Sequence, residues 1–96
     1  MIVVEGSIRI RDLDLARPAM EEMIRASRAE AGCIDYAYAI DLLDPNLIRV
    51  SERWEGREAL AAHVASDHIK RWRALWPEIG VSDRQLRMYD ASPEQF

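Results

Sequence analysis

Two histidines, His63 and His68, are the side chains of this sequence best suited to move a proton near neutral pH. An imidazole with an unperturbed pKa of roughly 6.5 can take a phenolic or hydroquinone proton. His63 lies next to Ala59, Leu60 and Val64, on or beside an apolar stripe. Two readings stand for it: a base facing a pocket, or a partly buried ring bonded to a backbone carbonyl or to Glu52. His68 follows five residues later. At about 100° per residue, an unbroken helix sets the two rings roughly 140° apart, which is poor for chelating one metal. A break at Ser66–Asp67 brings them together, but no cysteine or clustered carboxylate accompanies them. The alternative for His68 is a capping or surface role at a helix start.

Aromatic residues supply the second part of a possible site. Tyr36 and Tyr38 share one face of a strand pattern and can flank an aromatic ligand and hydrogen-bond its oxygens. They fit equally well as core or subunit-contact residues. Trp54 and Trp72 pose the same choice, and Trp72 and Trp76 share a helix face at i,i+4. Glu52 falls on the same strand face as Ile48, Val50 and Trp54. A carboxylate on an apolar face needs a partner, and His63, Arg9 or Arg87 can supply it. It either orients a histidine base or forms a structural ion pair. Cys33 is the sole cysteine, at the start of a strand, and reads as a small buried residue. No phosphate-binding loop, dinucleotide fingerprint, nucleophile elbow or ordered zinc motif occurs.

Elements to position these groups are legible in the hydrophobic pattern. Residues 2–10 alternate as a strand in which Gly6 marks a bulge or a close approach. Residues 13–31 carry helical spacing, with Pro18 in the first turn and Gly32 as the stop. Residues 33–42 and 47–54 form a hairpin about a turn at Asp44-Pro45-Asn46. Residues 56–79 are helical in two pieces, and 84–90 form a last strand bearing Leu86 and Met88. The tail, 91–96, is an arm. The order β-α-β-β-α-β predicts an α+β, ferredoxin-like fold: a four-stranded antiparallel sheet with helices on one face, in a single domain over residues 1–96. The opposite sheet face needs a cover, and a second subunit is the simplest one.

Composition narrows the class. The chain is 49% hydrophobic and 31% charged, with a net charge of −4 and interspersed signs. That mix belongs to a globular protein and speaks against nucleic acid as a partner. The basic run around Lys70, Arg71 and Arg73 reads as a solvated helix face. No apolar run approaches the roughly 20 residues that cross a bilayer. The N-terminus lacks the pattern of a signal peptide, and a lone cysteine suits a reducing cytoplasm.

Three segments also carry a family resemblance: Glu30-Ala31-Gly32-Cys33-Ile34-Asp35-Tyr36, Glu52-Arg53-Trp54-Glu55, and Leu60 through His68. Their order and spacing resemble the antibiotic biosynthesis monooxygenase (ABM) family, in particular its quinol monooxygenase-like branch. Ala31 stands where that pattern commonly has proline. The resemblance covers about residues 2–90. It implies a dimeric α+β barrel, with two sheets face to face and helices outside. It also implies oxidation of a small aromatic, hydroquinone or polyphenol by O₂ without flavin, haem or metal. His63 and Glu52 are then the catalytic candidates, and Tyr36, Tyr38, Trp54, His68 and Trp72 the substrate-binding ones. Haem-degrading relatives need a ligating histidine about five residues beyond His68 and an asparagine in the first strand. This chain has Arg73 and Gly6 or Ser7 there. The rival expectations are a non-redox isomerase and a non-catalytic binding or stress-response module on the same fold.

Overall fold

The computed structural model describes all 96 residues. β1 (Ile2–Ile10) leads into α1 (Leu13–Arg28) and β2 (Cys33–Asp41). β3 (Asp44–Trp54) follows, then α2 (Arg57–Val64), α3 (Asp67–Ala74), α4 (Trp76–Ile79) and β4 (Val81–Asp90). The four strands form one antiparallel sheet in the order β2-β3-β1-β4. This is the ferredoxin-like α+β arrangement expected from the sequence, and no helix is long and apolar enough to cross a membrane.

Alternation sorts each strand. Ile2, Val4, Ile8 and Ile10 of β1 are buried, with Ile48, Val50 and Trp54 of β3 beside them. Helix α1 closes this face with Ala16, Met20, Met23 and Ser27, spaced three or four apart and all buried. Its first turn is capped by Asp12, whose carboxylate accepts the Leu15 amide at 3.0 Å. Gly6 has φ +154°, and a Cβ there would lie 1.8 Å from the Gln85 carbonyl oxygen. The residue is therefore a point of close backbone approach, next to the register shift between β1 and β4.

Four boundaries differ from the sequence expectation. The hairpin turn is Leu42-Leu43, not Asp44-Pro45-Asn46. Asp41 pairs with Asp44 while Ile40 pairs with Ile48, so the Pro-containing segment is accommodated as a bulge inside β3. Asp44 is held there by Arg9 at 2.7 Å, and the Asn46 side-chain amide donates to the Ile10 carbonyl at 2.9 Å. Helix α1 ends at Arg28 rather than residue 31, because Ala29 and Glu30 enter a turn closed by the Glu30 amide on the Ser27 carbonyl. The second helical region breaks into three pieces rather than two, and the last strand begins at Val81 rather than residue 84.

The outer sheet face is mixed. Glu5, Arg49, Ser51 and Arg53 are exposed on it, whereas Val3 and Ala37 are half-buried. Leu42 and Leu43 at the hairpin tip are 96% and 92% exposed.

Candidate active site

The Ser66–Asp67 region does break the helix, and that break builds the site. Ala65 ends α2, and Ser66 caps α3 by accepting the Ile69 amide. The same hydroxyl donates to the His63 carbonyl at 2.6 Å and lies 3.2 Å from His68 Nε2. The roughly 140° separation of an unbroken helix is thus cancelled. His63 and His68 converge on a third residue, Glu30, from the turn after α1. His63 Nδ1 lies 2.8 Å from Glu30 Oε1, and His68 Nε2 contacts the same oxygen.

Gly32 makes this approach possible. Its φ is +81°, and a Cβ would fall 2.6 Å from the Ala59 side chain, so α2 rests directly on the turn that carries Glu30. The Gly32 carbonyl also accepts the Glu55 amide at 2.8 Å, tying the turn to the end of β3.

A carboxylate only accepts hydrogen bonds, so Glu30 fixes the proton of neutral His63 on Nδ1. The other ring nitrogen, Nε2, then carries the lone pair. Trp54 and Tyr36 wedge the ring, with centroids at 4.6 Å and 5.1 Å. Burial lowers the His63 pKa, and the Glu30 hydrogen bond and charge oppose that shift without cancelling it. His63 is therefore neutral and ready to accept a proton at pH 7.

His63 borders a cavity of ≈ 200 Å³ between the sheet and the helices, open on one side to solvent. Tyr36, Tyr38 and Glu52 face it from the sheet, and Trp72 faces it from α3. An apolar cavity of about 150 Å³ is enough to hold benzene, so this one takes a single substituted aromatic ring. Tyr36 and Tyr38 stack at 5.7 Å, and Tyr38 meets Trp72 edge to face at 6.4 Å. Burial raises the pKa of both tyrosines, which keeps them as neutral phenols. The Tyr36 hydroxyl is spent on Met23 Sδ at 3.3 Å.

Three sequence expectations need correction. Glu52 does not bond His63; it accepts the Trp54 indole N–H at 3.0 Å. Arg9, another proposed partner, is paired with Asp44. Glu52 nevertheless lines the cavity, only 5% exposed, and burial raises its pKa. Trp54 is fully buried behind His63 and is not part of the cavity wall. His68 is not in this wall either; it borders a separate depression beside Met23 and the far side of Trp72.

Glu30 is the functional candidate that no role was assigned from sequence. One signal was available: it follows Arg25 and Arg28 at the C-terminal end of α1, where a negative charge opposes the helix dipole. Such a carboxylate needs a cationic or hydrogen-bonding partner elsewhere. Glu30, His63 and His68 also place their donor atoms within 4.8 Å of one another, the spacing of a potential metal site. The 2.8 Å from His63 Nδ1 to Glu30 is a hydrogen-bond length. It is shorter than the roughly 3.3 Å edge between donors of a tetrahedral site with bonds near 2.0 Å. As arranged, the trio shares protons. Cys33 is half-buried, and burial raises its thiol pKa, so it is a packing residue rather than a nucleophile.

With its antiparallel α+β sheet and a helix-lined aromatic cavity, the chain belongs to the antibiotic biosynthesis monooxygenase family, whose model matches residues 1–75. Solved structures with the same fold include one named antibiotic biosynthesis monooxygenase, 27% identical over 97% of this chain and 100% of that one, with a TM-score of 0.84. A Deinococcus radiodurans protein named as a candidate member of that family gives a TM-score of 0.87 at 21% identity, covering 100% of this chain and 97% of that one. A conserved Methanosarcina mazei protein gives 0.86 at 24% identity, covering 95% and 92%. Among curated proteins, the uncharacterized protein sll1783 of Synechocystis is 27% identical over 98% of this chain. The chain spans 65% of the length of that relative.

Proposed function

We propose that this protein is a cofactor-independent monooxygenase that oxidises a small hydroquinone or polyphenol with O₂. The observation that carries the reading is the Glu30-oriented, neutral His63 at the edge of an aromatic cavity. In the proposed sequence, His63 Nε2 removes a substrate hydroxyl proton, and Glu30 stabilises the imidazolium that forms. The electron-rich anion passes one electron to O₂, giving a substrate radical and superoxide. These recombine through a C–O bond to a peroxide anion, which takes the proton back from the His63 imidazolium to give a hydroperoxide. Loss of water then leaves the hydroxyquinone: one oxygen atom enters the product and the other leaves as water. The protein's part is deprotonation, orientation and exclusion of bulk water.

Family membership supports a monooxygenase, and the cavity size supports a one-ring substrate. Hydroquinone turnover measured with and without O₂, with isotope-labelled O₂ traced into product, tests the reading. Turnover that persists anaerobically removes the monooxygenase and favours the isomerase.

We also propose that the working form is a homodimer in which a second copy covers the outer sheet face. Leu42 and Leu43 at the hairpin tip, almost wholly exposed, support it. Sedimentation equilibrium checks this, and a monomer at micromolar concentration rejects it.

A further inference from the structure

The cavity has more hydrogen-bond donors and positive charge than its own walls satisfy. The indole N–H groups of Trp72 and Trp76 are buried without an acceptor, and both residues line the cavity. The Trp72 indole is near enough to the Tyr38 hydroxyl to ease its ionisation, but not in hydrogen-bond geometry. At the open side stand three arginines, Arg73 from α3 and Arg84 and Arg87 from β4, all exposed.

None of the three has a carboxylate partner, and the cavity wall sets only one acidic residue, Glu52, against them. Arg73 is set against the wall by the Trp76 ring, 5.6 Å from its guanidinium carbon. The charge of Arg84 reaches the cavity floor, where it favours the ionised forms of Glu52 and Tyr38. In a chain of net charge −4, three cations gathered beside one opening are not the residue of a general basic excess. Glu52, the acidic wall residue, already accepts the Trp54 N–H and resists ionisation.

We infer that the substrate is an aromatic carboxylate: a hydroquinone or polyphenol whose ring lies in the cavity and whose carboxylate meets Arg84 and Arg73 at its opening. The inference rests on the cavity being the substrate site, as read above. A neutral hydroquinone would leave both guanidinium groups without a counter-charge. A carboxylate accepts their charge-assisted hydrogen bonds and holds the ring in one orientation toward His63.

Titration followed by tryptophan fluorescence, with Trp72 and Trp76 in the cavity wall, compares 2,5-dihydroxybenzoate with its methyl ester and with hydroquinone. The wild type is expected to bind the acid about tenfold or more tightly than the ester, with the preference shrinking as salt rises. Arg84→Gln and the double variant with Arg73→Gln are expected to bring acid and ester to near-equal affinity while leaving the ester's affinity unchanged. Equal binding of acid and ester by the wild type, or equal loss of both in the variants, overturns the inference and leaves the oxidation proposal standing. Binding of none of the three ligands overturns both. A clear preference for the acid, coupled with turnover that needs no O₂, overturns the oxidation alone.

Discussion

His63 and His68, on two different helices, meet at one oxygen atom, Oε1 of Glu30. Ser66 holds the joint between those helices by bonding the backbone of one histidine and lying beside the ring of the other. His63 borders the cavity and His68 does not. The two imidazoles are therefore placed for different work: in the proposed reaction His63 faces the substrate, while His68 contacts the carboxylate that orients it.

Replacing His63 by Ala should lower kcat by about 10²–10⁴-fold, the range of a lost general base. Ligand affinity should change far less, because most of the cavity wall remains. Steady-state kinetics beside a binding titration separates the two. Equal loss of affinity and turnover would show that the ring only shapes the cavity.

Glu30→Gln keeps an acceptor for His63 but removes the charge. We expect kcat to fall about 10²-fold with little change in KM. The Glu30 carboxylate raises the His63 pKa against the effect of burial. Without it, the acidic limb of the kcat/KM profile should move to lower pH. An unmoved limb would mean that Glu30 only braces the fold.

In the wild type, burial holds the His63 pKa below the ordinary histidine value of 6.5. Turnover should therefore stay on its plateau down to that pH and decline only below it. The same shift acts on stability. The unfolded chain binds the proton more readily, so the His63 contribution is complete above the unfolded pKa and is lost as pH falls through the folded one. Denaturant melts across pH 7 to 5 should show stability decreasing with acid.

Glu52→Gln should leave stability at pH 7 unchanged or raise it by up to about 1 kcal/mol. Its ionised form is disfavoured by burial, and a glutamine oxygen can still accept the Trp54 N–H. Urea denaturation measures this. A loss above about 2 kcal/mol would mean that a charged Glu52 has a partner essential to the fold.

Gly32→Ala should destabilise the protein by about 1–3 kcal/mol, combining a strained positive φ with a clash against Ala59. Because the clash pushes α2 off the Glu30 turn, kcat should fall in the fraction that stays folded. Thermal melts paired with activity at a fully folded temperature resolve the two effects. Full activity there would show that the Glu30–His63 contact tolerates the shift.

Much of the site could be read before any coordinates. Strand alternation puts Tyr36 and Tyr38 on one face, helix spacing puts Trp72 beside Trp76, and all of these side chains line the cavity. Glu52 was recognised as a carboxylate needing a partner, but the choice of Trp54 over His63 depended on which neighbour its oxygen meets. Asp-Pro-Asn chemistry suits a bulge as well as a turn, so the position of the hairpin turn is decided only by the contacts of Asp44 and Asn46.

The sequence by itself determined the element order, the apolar face of each element and the two histidines whose environment would matter. These follow from local periodicity and from side-chain chemistry. The tertiary structure decided that Glu30, distant in the chain, would be the partner of both histidines, and that three arginines would stand unpaired beside the opening. Such pairings depend on how far α1 runs, how sharply the chain turns at Gly32 and where the second helix breaks. Each is a matter of one or two residues, and a hydrogen bond is sensitive to shifts well below the length of one.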